Sequence, residues 1–454
     1  MHAASVDVTS AQCVNNENIF FHNMNTSDQA KFVGQGVYAV NEQHLIITDP
    51  AERNLFIYRY AAGAQFNISR KLQNNVICGF VALTEDPNSP GDMMLAPNAT
   101  LINKGIIDLH FKDLYAEHIR NEAKGDENYH VDALRGYAMA AGDNSVLVNE
   151  GVINIYMDHD ADAETTMYCC AMWAEANSQL INRGEIHFYG NGSWQSLVRG
   201  VGGVANYIQV INEGLITVDV ERAFQTRILH SAGMYGSLWN KKEGRIQIRV
   251  SGRVMTMGSV TGTHMMNDGE IYVTSIATLI EGKIPYLFNF PPMATGMYEH
   301  FRPGTMLPAP IINRGSIKVH LVGSEASGPD AIAFGFYYQM ENKDNGETPV
   351  RYISNEGTVK VSQEGPQKYV TAEVGINMQL KTDNPVKMKV VAWNTTERDF
   401  AQTKDLFACH SAQLDLSEMR LTFNGQPATA DPTTLVYQTE DAKQRGDTCV
   451  VIGK

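Results

Sequence analysis

Residues 210–220 read VINEGLITVDV: two apolar residues, an asparagine, a charged residue, a glycine, then an alternating strand. The phrase occurs eight times. The other copies are LINKGIIDLHF (101–111), LVNEGVINIYM (147–157), LINRGEIHFYG (180–190), LWNKKEGRIQIRV (238–250), MMNDGEIYVTS (265–275), IINRGSIKVHL (311–321) and ISNEGTVKVSQ (353–363). Repetition of one strand–turn–strand phrase is the signature of a solenoid, in which each rung packs only on its neighbours.

Within each copy, the second and fourth residues after the glycine are apolar: Ile107 and Leu109, Ile153 and Ile155, Ile186 and Phe188, Ile216 and Val218, Ile246 and Ile248, Ile271 and Val273, Ile317 and Val319, Val359 and Val361. A period of two over one apolar face means a half-buried strand, and the β-branched enrichment agrees. An asparagine and a glycine bracketing the corner tolerate positive φ, so the phrase bends and does not fold back as a hairpin. The phrase glycines are spaced by 25 to 46 residues. The shortest spacing suits a coil of three strands with tight turns; the longer ones carry loops, the segment 115–136 among them. Ahead of the phrases lie small and apolar runs, ICGFVAL, RGYAMAA, YCCAMWA and LVRGVGGVA, which supply the remaining strand of each coil. The expected fold is all-β: a right-handed three-strand parallel β-helix with loop insertions. Residues 1–30 are expected as an N-terminal cap, 31–400 as the β-helix and 401–454 as C-terminal rungs or cap.

Parallel strands of successive rungs lie about 4.8 Å apart, so the corner asparagines stack. A stacked amide donates to one neighbour and accepts from the other, whereas stacked carboxylates repel. Asn103, Asn149, Asn182, Asn212, Asn267, Asn313 and Asn355, with Asn240, are therefore read as a structural ladder.

The chain has 454 residues, 19% of them charged, and a formal net charge of -14. That balance argues against nucleic acid and against a polybasic membrane contact, since both need clustered Lys and Arg. No apolar stretch reaches the roughly 18 residues of a membrane-spanning helix. The opening MHAASVDVTS has neither a basic nor an apolar leader segment and reads as a mature N-terminus. None of the six cysteines, Cys13, Cys78, Cys169, Cys170, Cys409 and Cys449, forms a CxxC pair, so no zinc site is expected. Cys169 and Cys170 are adjacent in a strand-like run, so one points in and one out. Cys409 and Cys449 would close a terminal loop in an exported chain.

The recurring [LIV]-[IV]-N-x-G-x-[IV]-x-[VIL] phrase, over residues 75–365, resembles the passenger domains of pertactin-like and AIDA-like autotransporter adhesins of Gram-negative bacteria. The resemblance implies export, an outer-membrane surface or extracellular location, adhesion or cell–cell association, and a C-terminal membrane barrel that is absent from this sequence.

No catalytic signature of a β-helix enzyme, protease, zincin or α/β-hydrolase appears, and neither catalysis, a cofactor nor a metal is expected. The acidic run Asp158, Asp160, Asp162 and Glu164 lacks the glycine of a tight calcium loop and reads as a solvated loop. Arg445-Gly446-Asp447 resembles an integrin-recognition tripeptide and is read as chance. The third and fifth residues after each glycine point outward. They form two rows: Asp108, Asn154, His187, Thr217, Gln247, Tyr272, Lys318, Lys360; and His110, Tyr156, Tyr189, Asp219, Arg249, Thr274, His320, Ser362. Exposed rings with polar neighbours suit sugar rings or an extended polypeptide. Arg245, Arg249 and Arg253 add a cation cluster suited to a sulfated sugar or carboxylate. The ligand-binding candidates are His110, Asn154, Tyr156, His187, Tyr189, Arg245, Arg249, Tyr272 and Lys318. The expected function is a surface adhesin binding a host glycosaminoglycan or a matrix glycoprotein such as fibronectin. The alternatives are a polysaccharide-active lyase or hydrolase on the same scaffold, and self-association between solenoids.

Overall fold

The structure is a computed structural model. It describes residues 12–15, 20–21, 38–42, 44–48, 59–60, 76–85, 87–88, 93–112, 130–131, 135–158, 168–190, 194–200, 207–231, 236–259, 263–276, 293–301, 310–323, 331–342, 350–365, 369–380, 387–396, 406–409, 412–438, 443 and 449–453. Most of the expected N-terminal cap, most of the 115–136 insertion, the acidic run beyond Asp158 and the Arg445–Asp447 tripeptide lie outside these residues.

The described chain is nearly all β, and its strands pair mostly in parallel from rung to rung, with a register shift between Ile353 and Ser354 and antiparallel pairs outside the rungs such as Leu83–Glu85 with Met93–Leu95. A coil has three strands, as in Val146–Asn149, Val152–Asp158 and Tyr168–Ala174, the second and third running together as one in Leu215–Ser231 and Arg245–Ser259. The chain divides into two compact units. Unit 1 comprises Met1–Val201, Ile208–Ile228 and Ile280–Asn289; unit 2 comprises Gly202–Tyr207, Leu229–Leu279 and Phe290–Lys454.

In unit 1 the first strands stack in the order Gln12–Asn15, Tyr38–Asn41, Thr100–Asn103, Val146–Asn149, Ser178–Asn182 and Ile208–Asn212. Corner residues face corner residues throughout, as Asn149 faces Asn182 and Asn182 faces Asn212. In unit 2 a ladder of the same kind runs through Ser237–Asn240, His264–Asn267, Ile311–Asn313, Arg351–Asn355 and Lys387–Thr395. It continues through Ala412–Asp415 to Cys449–Ile452. The disulfide Cys409–Cys449 closes these last rungs.

The alternating positions form the core, except that Val361 in the last copy is only partly buried. Ile107, Leu109, Ile153, Ile155, Ile186, Phe188, Ile216, Ile246, Ile317 and their partners are 0–3% exposed. Each such side chain contributes about 1.5–3 kcal/mol by leaving water. The small and apolar runs form the third strand of each coil, for example Arg135–Ala141 on Tyr168–Ala174. They are buried on both faces: Tyr137 to Ala141 and Cys170 to Ala174 are all at most 2% exposed. Near the C-terminal end of unit 2, Trp393 meets Phe336 and Phe407 edge-on, with centroids 5.3 Å apart in each pair.

The amide ladder is continuous within each unit. In unit 1, Asn41 donates to Asn103, Asn103 to Asn149, Asn149 to Asn182 and Asn182 to Asn212, at 2.7–2.8 Å. In unit 2, Asn240 donates to Asn267, Asn267 to Asn313 and Asn313 to Asn355, at 2.7–2.8 Å, and Asn355 donates to the Asn394 carbonyl. All of these asparagines except Asn394 are 0% exposed.

The corner glycines serve a different purpose from the expected one. None of them adopts positive φ; the positive-φ glycines are Gly190, Gly252, Gly365 and Gly425. Glycine is required because the corners stack backbone on backbone. A Cβ on Gly184 would lie 2.0 Å from the Gly151 carbonyl oxygen, and one on Gly214 would lie 2.0 Å from that of Gly184. Among the described non-glycine residues, Asn424 is left-handed near the C-terminal end, with φ 48°, and Asn98, Asn144 and Asn177 are left-handed at another corner, with φ of 57–59°. These are linked rung to rung by Asn98 N–H to Asp143 O and Asn144 N–H to Ala176 O. Asparagine tolerates this conformation better than other non-glycine residues.

Candidate functional site

The strand after each corner presents its odd positions outward. None of the sixteen residues in the two outward rows is buried. Each row has one residue per rung, on a grid set by the strand spacing.

In unit 1 the third-position row is tied together. His44 Nε2 lies 2.6 Å from Asp108 Oδ2, and Asn154 Nδ2 donates to Asp108 Oδ1 at 2.7 Å. His187 Nδ1 lies 2.6 Å from Thr217 Oγ1, while its Nε2 lies 2.9 Å from Glu185 Oε2. The fifth-position row is a stack of rings. His110 and Tyr156 are parallel with centroids 4.6 Å apart, Tyr156 and Tyr189 follow at 5.5 Å, and His187 joins Tyr189 at 6.1 Å. Tyr189 is 39% exposed. Partial burial, then the charges of Asp108 and Tyr189, push the Tyr156 phenol above its ordinary pKa, so at neutral pH it keeps its proton and can donate.

In unit 2 the corresponding face carries Gln247, Tyr272, Lys318 and Lys360 in register, with Arg249, Thr274, His320 and Ser362 beside them. Tyr272 is 50% exposed. Arg245 is exposed and lies 3.8 Å from Glu270. His320 contacts Ser362 Oγ at 2.9 Å through Nδ1 and lies 3.7 Å from Glu364 through Nε2.

Arg253 is not part of this face. Its spacing of four from Arg249 keeps strand parity, which predicts a shared side. Gly252 turns the chain with φ +127°, and Arg253 ends 6% exposed. Burial lowers its pKa, opposed by Tyr298 and Tyr337. The cation cluster is therefore Arg245 and Arg249 alone.

Three polar features were not foreseen. His44 and Asn41 belong to a further rung, YAVNEQHLII, which lacks the corner glycine and so escapes the motif. Glu185 stands at the first position after its glycine, outside the rows. Inside unit 2, Glu299 (0% exposed) faces Arg351 (2% exposed) at 3.5 Å beside buried Tyr338. Burial first, then the charge of Glu299, holds the Tyr338 phenol well above its ordinary pKa. Residues 299 and 351 are far apart in the chain, and no local pattern marks them.

Outside the rows, the corner charges alternate and pair. Arg183 bridges Glu150 at 3.2 Å and Glu213 at 3.0 Å, and Arg314 lies 3.4 Å from Asp268. Exposed pairs of this kind contribute at most about 1 kcal/mol. Among the described residues no group of three or more His, Cys, Asp or Glu side chains could hold a metal ion, and no helix is long and apolar enough to cross a membrane.

Residues 5–207 match the model of a family described as BigA third pectate lyase-like domain. The match agrees with the parallel β-solenoid over that part of the chain. No curated protein and no solved structure matches the chain.

Proposed function

We propose that this protein is a surface-exposed adhesin, related in type to the passengers of pertactin-like and AIDA-like autotransporters. It binds a host glycosaminoglycan or a matrix glycoprotein such as fibronectin along its outward strand faces. The observation that carries the reading is the ring stack His110–Tyr156–Tyr189, one ring per rung on a rigid sheet. Rings stacked at strand spacing form a pre-ordered row of edges and hydroxyls for a sugar or an extended chain, and little entropy is lost on binding. The Cys409–Cys449 disulfide supports an oxidising, exported location. The similarity to a pectate lyase-like domain fits a carbohydrate-facing solenoid.

The test is a glycan and matrix-protein array on the purified chain, repeated with Tyr156→Ala, Tyr189→Ala and Arg249→Ala combined. The triple variant should keep its circular dichroism and lose at least tenfold in affinity. Unchanged affinity would remove these faces from the argument. A polysaccharide-active enzyme is the second reading, favoured by the family description and by the His44–Asp108 pair near Tyr156. It predicts new reducing ends or ultraviolet-absorbing products on incubation with uronic or sulfated glycans.

A further inference from the structure

On the outward face of unit 2 two cations stand side by side. Lys318 and Lys360 are exposed and directly opposite each other in the parallel pairing of Ser316–Val322 with Thr358–Glu364. Like charges directly opposite on neighbouring strands destabilise a sheet. Some other cations of the described residues sit against carboxylates: Arg183 on Glu150 and Glu213, Arg314 on Asp268, and the half-buried Lys389 on Glu418. Among the described residues, no carboxylate lies within ion-pair distance of Lys318 or Lys360. An anion placed between the two ammonium groups would relieve the repulsion.

The row continues in a way that specifies what carries the anion. Tyr272 is directly opposite Lys318 on the next rung, half-exposed, and Gln247 is opposite Tyr272 on the one after. Arg249 and His320 flank the row on the same face. The carboxylates nearest in the pattern are Glu270, which faces Arg245, and Glu364, which faces His320. The rungs repeat at about 4.8 Å, close to the length of one pyranose residue in an extended glycan.

We infer that this row is the recognition site for an anionic glycan lying along the rungs. A sugar ring rests on Tyr272, and a sulfate or carboxylate of the neighbouring residue bridges the Nζ atoms of Lys318 and Lys360. The inference rests on the ligand-binding reading above and narrows it to sulfated or uronic glycans. Lys360 becomes a specificity-determining residue beside Lys318 and Tyr272. Two lysines whose backbone positions the sheet fixes present compact point charges on flexible stems, so charge density along the glycan, more than sugar identity, sets affinity.

The experiment measures binding of the intact chain to a sulfated heparin hexasaccharide, its fully desulfated and carboxyl-reduced counterpart, and fibronectin, over a range of salt. The variants are Lys318→Gln with Lys360→Gln, the charge-preserving Lys318→Arg with Lys360→Arg, and Lys104→Gln as an exposed lysine of unit 1. The inference expects the glutamine pair to lose at least tenfold for the sulfated hexasaccharide, with the slope of log affinity against log salt shallower by roughly 1.5–2. The arginine pair and Lys104→Gln should bind within twofold of the parent, and fibronectin binding should be unaffected. If the glutamine pair binds the sulfated glycan like the parent, or loses no more than Lys104→Gln, the site is overturned. If the parent binds fibronectin or neutral glycans but neither sulfated nor uronic ones, the inference falls and the adhesin reading stands. If the parent binds none of them, both fall.

Discussion

Replacing Asn182 separates a hydrogen-bonded ladder from a mere preference for turn formers. Asn182 is fully buried. It accepts from Asn149 Nδ2 at 2.8 Å and donates to Asn212 Oδ1 at 2.8 Å. Asn182→Ala removes both bonds and leaves a small void. Asn149 Nδ2 keeps its contact with the Glu185 carbonyl at 3.1 Å, so one side of the gap is partly satisfied. Two buried hydrogen bonds at about 1 kcal/mol each, plus the desolvation of the acceptor left facing the void, give a loss of about 2–4 kcal/mol. Asn182→Asp keeps the shape but reverses the logic. Its carboxylate can still accept from Asn149, but it faces Asn212 Oδ1 acceptor to acceptor and carries a charge out of water. The loss at pH 7 should then be about 4 kcal/mol or more. Burial raises that carboxyl's folded-state pKa above its unfolded value of about 3.9. The proton stabilises the folded variant, so the deficit is smallest below about pH 4 and grows as pH rises through the raised value. Equilibrium denaturation gives the loss, and hydrogen exchange at the Arg183 and Glu213 amides, which donate to the Asn149 and Asn182 carbonyls, reports the local opening. Asp is as good a turn former as Asn. If Asn182→Asp lies within about 0.5 kcal/mol of the parent at pH 7 and Asn182→Ala is the worse of the two, the ladder is not what selects asparagine.

Two further substitutions probe the backbone stacking and the buried charges. Gly184→Ala should cost at least about 3 kcal/mol, because its Cβ meets the Gly151 carbonyl at 2.0 Å and only a wider rung spacing relieves it. Gly425→Ala, with open space but φ +78°, should cost about 1–2 kcal/mol; a reversed order in chemical denaturation would contradict the stacking argument. Arg351→Met should cost about 3–5 kcal/mol by stranding the buried Glu299 carboxylate, and adding Glu299→Leu should recover most of that. A double variant no more stable than Arg351→Met would show that the two groups are not coupled.

What the sequence revealed follows from how local each feature is. The alternation after each glycine is a property of five consecutive residues, and it placed pairs such as Ile153 and Ile155 in the core correctly. The corner asparagine repeats at one position, so its stacking followed from rung geometry alone. The role of the glycine did not: a residue needed for positive φ and one needed for close approach look alike in sequence, and only the 2.0 Å distance to the previous rung separates them. Parity failed at Arg253 because a single positive-φ glycine resets it. Asn41 escaped because its rung has no glycine, and Asn98, Asn144 and Asn177 because a lone asparagine before a small residue is too common to stand out. The Glu299–Arg351 pair joins residues on different rungs, and no short pattern encodes it.

The two units use their outward positions differently, and this bears on where recognition can reside. In unit 1 the third-position row engages itself: Asp108 holds His44 and Asn154, and His187 is held between Glu185 and Thr217. A ligand would have to displace those short contacts to use the groups. A ligand that meets the outward edges of the Tyr156 and Tyr189 rings beside them does not have to break those contacts. In unit 2 the order is inverted. There the fifth-position row holds the self-contact, His320 on Ser362, and the third-position row leaves Tyr272, Lys318 and Lys360 turned to solvent. On a scaffold whose spacing is set by backbone pairing between rungs, the rows that satisfy themselves stiffen the face. The rows that do not, the rings of unit 1 and the ring and paired cations of unit 2, keep their outward groups turned to solvent.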